Sequence, residues 1–508
     1  MSYRSRTAPW EHQRQYPKRL AKRPSVPGVE DVFSLTWEMG CGKSKPIVDE
    51  FGSRVDARDL DRMLLIAPAG SYRNWLFDKT EEQQSELRTH MDPHLFARLS
   101  SAAWISGGRK SDAERIERMM RSDRPKFLAC NVEALSTVER AKLLCRQFLE
   151  EGIQESVGFG GRGRRARSMV VVDESTRIRG DSNRTDTVHS LAELTEVRRI
   201  MTGLITPRDP MDLFRQYWFL DWRILGQRNF YAFRARYAIM QKMMMRGRTV
   251  SVVVGFRNQE ELRERIAPWT YRVLLEDCID MPGETFQTRD VGLSAGQRRM
   301  IRELLEQATT RVEGTEVHAT KTIKLATLTA IDQILLGWLE DEEGQVHEVQ
   351  THCYDALLET LEEHSGKAII WTPFQQSLKK AAALLEEAYG PGSVALFYGG
   401  NRAVRHEDER RFLSDPKCRF MISTPAAGGV GNTWNVATLR VYLGNSHDLE
   451  HRLQSEKRNY RGGQTQHVTS VDLTWPEVPV TTKKLVGLRK KLDIASVIQG
   501  DPLREWLL

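Results

Sequence analysis

The phrase WEMGCGKSK at 37–45 sets two glycines, a lysine and a hydroxyl residue almost side by side. Gly40 and Gly42, with Cys41 between them, permit a tight loop whose backbone N–H groups converge on an anion. Lys43 adds a point charge for the outer phosphates of a nucleotide. Ser44 offers a hydroxyl to Mg²⁺ at the positive end of a following helix. A second phrase, VVVDESTRIRG at 170–180, ends an apolar run in two carboxylates. Asp173 is the candidate Mg²⁺ ligand there, and Glu174 the candidate for polarising an attacking water. In this order and at this separation the two phrases predict a site for ATP with Mg²⁺. The strict loop pattern has Gly where this chain has Trp37, which is a departure at its first position.

Such groups need elements that end where the ligand lies. DVFSLTW before the loop reads as a strand and KPIVDEFGSR after it as a helix. MLLIAP (63–68), KFLACN (126–131), MVVVDE (169–174) and RRIMTG (198–203) are further short apolar runs, separated by amphipathic stretches such as ERAKLLCRQFLEE (139–151). The style returns in KAIIWTP (367–373), SVALFYGG (393–400), RFMISTPA (419–426), LRVYLGN (439–445) and HVTSVDLTW (467–475). Strands alternating with helices indicate parallel sheets covered on both faces. The region from about 208 to 365 reads as mostly helical. The predicted fold class is therefore α/β, two parallel-sheet lobes with a helical insert between them.

The 508 residues, 40% hydrophobic and 28% charged, supply enough apolar material for real cores, which argues against wholesale disorder. No run reaches the roughly 18 apolar residues of a transmembrane helix, so no membrane partner is expected. The opening MSYRSRTAPWEHQRQ has no apolar segment of the secretory kind. Six scattered cysteines without a CxxC pair argue against a zinc ribbon or a disulfide framework and suit a reducing, cytoplasmic setting. The net charge is +7, and arginine supplies 55 of the 75 basic residues. Arg4 to Arg23, GGRGRRAR (160–167) and KKLVGLRKK (483–491) concentrate that charge, as electrostatic footprints for nucleic acid do.

With these residues in place the chain resembles the helicase superfamily 2 ATPases, closest to the Snf-type (chromatin-remodeller-like) DNA translocases and in particular their compact bacteriophage and bacterial members. PWEHQRQ (9–15) resembles the Q motif, with Gln13 as adenine reader. LLIAPAGSYRNW (64–75) and FLACNVEAL (127–135) resemble motifs Ia and Ib. IMTGLITPRDPMDLFRQYWFLD (200–221) resembles motif III and KAIIWTPFQQSLKKAAALL (367–385) motif IV. STPAAGGVGNTW (423–434) resembles motif V and QSEKRNYRGGQTQHV (454–468) motif VI. The last is the most specific, with Gln454, Arg458, Arg461, Gly463 and Gln464 at the family's spacing. Motif II departs, reading Asp-Glu-Ser-Thr where the family commonly has Asp-Glu-Ala-His.

The resemblance implies two RecA-like lobes: 1–207 as the ATP-binding lobe, 208–285 as a helical connecting region and 286–508 as the second lobe with its leading helices. It implies Lys43, Asp173, Glu174, Arg458 and Arg461 as catalytic. Gln13, Gly40, Cys41, Gly42, Ser44, Gly431 and Gln454 would hold the nucleotide. Two arginines three apart are expected to share one helix face and to neutralise transition-state charge across an interdomain cleft. A nucleic-acid track would use Ser71, Arg73 and Asn74 on the first lobe, and Gly399, Gly400, Asn401, Ser423 and Thr424 on the second, each following the C-terminal end of a strand. Trp75 and Trp434 read first as core. The expected function is a monomeric, ATP-driven motor on DNA, duplex favoured, in a bacterial or phage-infected cytoplasm. A strand-separating or branch-migration helicase and a non-hydrolysing nucleic-acid-binding regulator are the alternatives.

Overall fold

In the computed structural model, residues 3–78, 84–157, 168–245, 248–314, 317–341, 343–401, 404–428 and 433–501 are described. Gly431 of the expected nucleotide set, and the Arg-rich loop 158–167, lie outside the described residues. The chain divides into two compact units. Among the described residues the first runs up to Ile239 and adds Gly255–Asp280 and 494–501; the second holds Met240–Val254 and Met281–Asp493.

The first unit is built on strands β1 (Asp31–Trp37), β2 (Arg62–Ala67), β3 (Ser100–Ala103), β4 (Lys126–Asn131), β5 (Ser168–Asp173) and β6 (Val197–Met201). A hairpin follows, β7 (Ala238–Met245) and β8 (Arg248–Phe256), and then β9 (Thr270–Val273). Seven of these form one sheet in the order β3-β4-β2-β5-β6-β1-β9. All its pairings are parallel. The central strands β2 and β4 are buried along their whole length, as a sheet covered on both faces requires. Leu64, Ile66, Leu128, Cys130, Val170 and Val172 project into one core.

The second unit starts with β10 (Glu284–Asp290), followed by a short hairpin of β11 (Trp338–Glu340) and β12 (Val346–Glu348). Then come β13 (Lys367–Trp371), β14 (Val394–Phe397), β15 (Phe420–Ser423), β16 (Ala437–Tyr442) and β17 (Val468–Thr474). Its six-stranded parallel sheet is ordered β10-β17-β16-β13-β15-β14. Period-two alternation sorts β13 cleanly. Ala368 and Ile370 enter one core, and Ile369 and Trp371 the other.

The α/β class with two parallel sheets is as the sequence predicts. The middle from 208 to 365 holds the expected helices, but it also contains strands the sequence did not show: the hairpin β7–β8, the strand β9 that edges the first sheet, and β10, which edges the second. Leu213, Phe214, Tyr217, Phe233 and Trp269 belong to the core of the first unit, so much of 208–280 packs with the sheet that carries the glycine loop. The first unit also takes in residues 494–501. Ile498 is buried in its core, and Gln499 accepts a hydrogen bond from the Ile205 amide at 3.1 Å.

Candidate functional site

The loop between β1 and helix α2 (Ser44–Asp56) has the shape its glycines predict. Gly40 and Gly42 sit at φ +92° and +68°, a region that a side chain disfavours. The loop carbonyls are held from outside. Lys43 Nζ donates to Trp37 O (3.1 Å) and Glu38 O (3.4 Å), His12 Nε2 meets Cys41 O at 2.8 Å, and Gln13 Nε2 donates to Gly42 O at 3.1 Å. No side chain caps the N-terminus of α2. Its leading N–H groups and the helix dipole are thus directed at an anion. Gln13 comes from helix α1 (Glu11–Ala21), and its Oε1 also accepts from the Trp10 amide at 2.8 Å. The structure therefore shows the expected adenine reader bracing the phosphate loop.

Asp173 ends β5 and Glu174 follows at φ +49°, a left-handed conformation that turns the chain sharply after the strand. Protein packed around Asp173 raises its pKa, against the opposing pull of Lys43, of the Glu174 amide and of the Trp75 indole. The Glu174 N–H donates to Asp173 Oδ1 at 3.0 Å. Trp75 is core, as its sequence context suggests, but its polar edge reaches the carboxylate. Lys43 and Asp173, far apart in sequence, are thus brought together at the C-terminal ends of parallel strands.

Glu174 is met from β6. Thr202, the residue after that strand and within the 200–221 phrase, donates from Oγ1 to Glu174 Oε2 at 3.4 Å. One residue on, Ser175 is fully buried and donates to Gln216 Oε1 at 2.6 Å. Gln216 in turn donates to Ile205 O (2.7 Å) and Asp212 O (2.8 Å). The departure from the family's motif II therefore supplies a hydroxyl that welds it to the motif III segment. Arg272 on β9 donates to Thr36 O (2.6 Å) and Gly203 O (3.0 Å) while paired with Asp501 at 2.7 Å. It joins the strand that carries the phosphate loop to motif III.

At the opposite end of β1 a buried ionic cluster fixes α1, α2 and β6. Arg199 is fully buried and pairs with Glu50 at 2.5 Å and Asp31 at 2.8 Å, and Tyr16 donates to Glu50 at 2.6 Å. Burial would raise the Asp31 pKa, but Arg199, Arg54 and Arg23 overcome it and hold it down at about 2.

Ser44 and Asp173 are hard oxygen donors, the set that Mg²⁺ shares with phosphate oxygens. Asp173 is half-buried, and packing disfavours its charged form, which a bound cation would stabilise. Among the described residues no group of three His, Cys, Asp or Glu side chains could hold a metal by itself. On the same unit Ser71 and Asn74 are half-buried and Arg73 exposed, in a single turn (Tyr72–Trp75) after β2.

In the second unit the expected residues divide. Gly399 and Gly400 are exposed after β14, and Asn401 spends its side chain on Tyr398 N (3.0 Å) and Leu396 O (2.7 Å). Thr424 is buried and Ser423 fully so, with its hydroxyl donated to Phe397 O at 2.6 Å. Ser423 supports its loop from beneath in place of facing a ligand. Trp434 is core, stacked on Trp371 with ring centroids 5.7 Å apart.

The helical pairing of the two arginines is corrected. The helix Leu449–Glu456 stops before them; Arg458 lies in the following turn and Arg461 in a bend. Gly463 at φ +94° and Gln464 shape that segment. Gln464 Nε2 donates to Asn435 O, Ala437 O and Asn459 O at 2.9–3.2 Å, and its Oε1 accepts from the Thr465 and Gln466 amides. Arg458 is buried and donates from Nε to Gln454 O at 2.9 Å; Arg461 is half-buried, and neither is a free side chain. Gln454 is buried with Oε1 lacking a hydrogen-bond partner, a group that a ligand could satisfy. Beneath it Arg452 grips Asp472 at 2.5 and 2.9 Å and Glu456 at 2.7 Å, and lies 3.5 Å from the Tyr442 ring centroid.

Reading the sequence missed Glu38, Gln216, Arg272 and Cys278. Glu38 adjoins the glycine loop and Gln216 lies within the 200–221 phrase, whereas Arg272 and Cys278 lie far in sequence from the loop and segments they contact.

No family model and no curated protein matches the chain. It is similar to two solved structures from Sulfolobus solfataricus. One is a SWI2/SNF2 ATPase core in complex with dsDNA, at 19% identity and a TM-score of 0.41, covering 99% of this chain and 95% of that one. The other is a SWI2/SNF2 ATPase core domain, at 18% identity and a TM-score of 0.37, covering 94% of this chain and 87% of that one. Among the described residues no helix is long and apolar enough to cross a membrane.

Proposed function

We propose that the chain is a DNA-dependent ATPase that couples hydrolysis to movement along DNA, with duplex favoured as the track. The observation that carries this reading is the convergence of Lys43, Asp173 and Glu174 at one sheet end, with Glu174 tied through Thr202 to the motif III segment. The loop amides and the α2 dipole hold the phosphates, and Lys43 swings from its own loop carbonyls to the outer phosphates. Ser44 and Asp173 would hold Mg²⁺, which when bound offsets phosphate charge. Glu174 orients and deprotonates the attacking water. Thr202 and the Ser175–Gln216 bond pass a change at the carboxylates to the 202–216 segment, the route by which nucleotide state would reach the track. Arg458 and Arg461 would add positive charge in the transition state. Ser71, Arg73, Asn74, Gly399, Gly400 and Thr424 are proposed to face the backbone of the nucleic acid. A motor of this kind needs no base reading, so phosphate contacts with a steep salt dependence are expected.

The test is steady-state ATPase with duplex DNA, single-stranded DNA, RNA or none, on wild type and Lys43→Ala. Duplex-stimulated turnover, lost in Lys43→Ala while DNA binding persists, supports the reading. Equal turnover in the variant refutes the nucleotide site. Release of a labelled strand from a partial duplex would favour a strand-separating helicase.

A further inference from the structure

The phosphate loop carries a thiol that the proposed chemistry does not use. Cys41 stands between the two loop glycines and is fully buried. Its thiol neighbours that of Cys278, a residue 237 positions away in the turn after β9, and the two perturb each other's ionisation. That turn is built against the loop. The Glu38 amide donates to Val273 O at 2.9 Å, the Leu275 amide donates to Glu38 Oε2 at 2.9 Å, and the Cys278 amide closes on Leu275 O at 3.0 Å. His12 completes the group, with Nε2 2.8 Å from Cys41 O and 3.8 Å from Cys278 Sγ. Cys278 is only half-buried, so a small solute reaches one member of the pair while the other lies behind it.

The two thiols are electrically unlike. The hydrogen bond from Cys41 and the neighbouring His12 bring the Cys278 pKa down to about 6, against burial and the Asp277 carboxylate. The same contact with Cys278, burial and the Glu38 carboxylate push Cys41 far up, with Lys43 opposing. The half-buried sulfur thus ionises more readily than its fully buried neighbour, although its thiol also donates to Leu274 O at 3.2 Å, and an accessible attacking thiol beside a buried resolving one is the arrangement that favours site-selective oxidation. A second close pair, Cys130 and Cys145, is fully buried and lacks such access.

We propose that Cys278 and Cys41 are a peroxide-sensing pair whose disulfide closes across the phosphate loop and blocks nucleotide binding. The gating half rests on the nucleotide reading given above. In the first step the Cys278 thiolate attacks one oxygen of hydrogen peroxide. An S–O bond forms, the O–O bond breaks, and hydroxide leaves to be protonated as water. Cys278 is oxidised to the sulfenic acid and the peroxide is reduced. The Cys41 sulfur then attacks the Cys278 sulfur. The S–S bond forms, the S–O bond breaks, and the departing hydroxide takes the Cys41 proton as a second water. The sum is two thiols and one peroxide giving one disulfide and two waters. A dithiol reductant reverses it by exchange. Closing two neighbouring thiols to a bond of about 2.0 Å pulls Cys41 toward the 274–278 turn. Gly40 and Gly42 flank it and take up the strain, which moves the amides that would meet the phosphates.

The experiment treats the full chain with hydrogen peroxide, maps crosslinked peptides by mass spectrometry, and measures binding of a fluorescent ATP analogue before and after a dithiol. The expected results are a Cys41–Cys278 peptide, at least a tenfold loss of nucleotide affinity, and recovery of both on reduction. Cys278→Ser should bind the analogue as the untreated wild type does and should ignore peroxide. Absence of the crosslink in wild type that binds nucleotide when reduced overturns the inference and leaves the ATP reading standing. A crosslink with unchanged affinity overturns the gate, as does equal peroxide sensitivity in Cys278→Ser. Reduced wild type that binds no nucleotide overturns the ATP reading itself, while the crosslink is still scored by mass.

Discussion

Gly42→Ala probes the phosphate loop without touching a charged group. Gly42 holds φ +68°, and an added Cβ would lie 2.7 Å from Gln13 Nε2. A non-glycine residue in the left-handed region costs about 1–2 kcal/mol. The contact also displaces the Gln13 amide from Gly42 O, a hydrogen bond worth about 1 kcal/mol. If the loop leaves its phosphate-ready shape to relieve both, ATP binding loses about 2–3 kcal/mol, or roughly 30- to 150-fold in Kd. Gln13→Ala alone should cost only the hydrogen bond, about fivefold in Kd. The double variant should be less than additive, because without the Gln13 amide the new methyl has room and only the backbone cost remains. Isothermal titration with a non-hydrolysable ATP analogue measures all four corners of the cycle, with thermal midpoints of the unliganded proteins alongside. Wild-type affinity in Gly42→Ala would refute this account of the loop, and strict additivity would refute the steric link to Gln13.

Three further outcomes follow from the geometry. Glu174→Gln keeps the loop and Asp173, so ATP should bind normally while single-turnover hydrolysis falls by roughly 10²-fold or more; normal turnover would place the base elsewhere. Arg461→Ala should retain most nucleotide affinity and lose duplex-stimulated turnover; full stimulation in a steady-state assay would remove this arginine from the mechanism. Asp31 is held near pKa 2, below its unfolded value, so its contribution is present above about pH 4 and is lost as pH falls toward 2. Asp31→Asn should therefore destabilise the first unit by about 2 kcal/mol at neutral pH and flatten the acid limb of a urea-midpoint profile between pH 5 and 2; an unchanged acid limb would contradict the Arg199 cluster.

The central strands were legible because burial on both faces writes a continuous apolar run. MLLIA, FLAC and VVVD could hardly be anything else, and the loop and carboxylate pair announce themselves by type and spacing. The edge strands were not legible for the converse reason. ETFQTRD in β10 is nowhere fully buried, and TYRV in β9 is buried only at Val273, so neither shows a hydrophobic signature. The local form of motif VI also escaped notice. A three-residue spacing suits a helix face, but Arg458 and Arg461 fall beyond the last helical turn, where the Gly462-Gly463 pair and the Gln464 hydrogen bonds dictate the path. The Cys41–Cys278 contact and the Gln216 bond join residues remote in sequence, and spacing carries no trace of them.

The dependence of the first unit on residues 494–501 sets a timetable for its synthesis. Ile205 and Gln499, joined by a backbone-to-side-chain hydrogen bond, are 294 residues apart. At about 5–20 residues per second a ribosome needs roughly 15–60 s to traverse that interval. For that period the phosphate-loop sheet exists without Ile498 in its core and without Asp501 on Arg272. Residues 281–493 of the second unit are translated before the first receives residues 494–501. A nascent chain therefore completes the packing of its first sheet, and the Arg272 link between β1 and the 203 segment, only after residues 281–493 have been made.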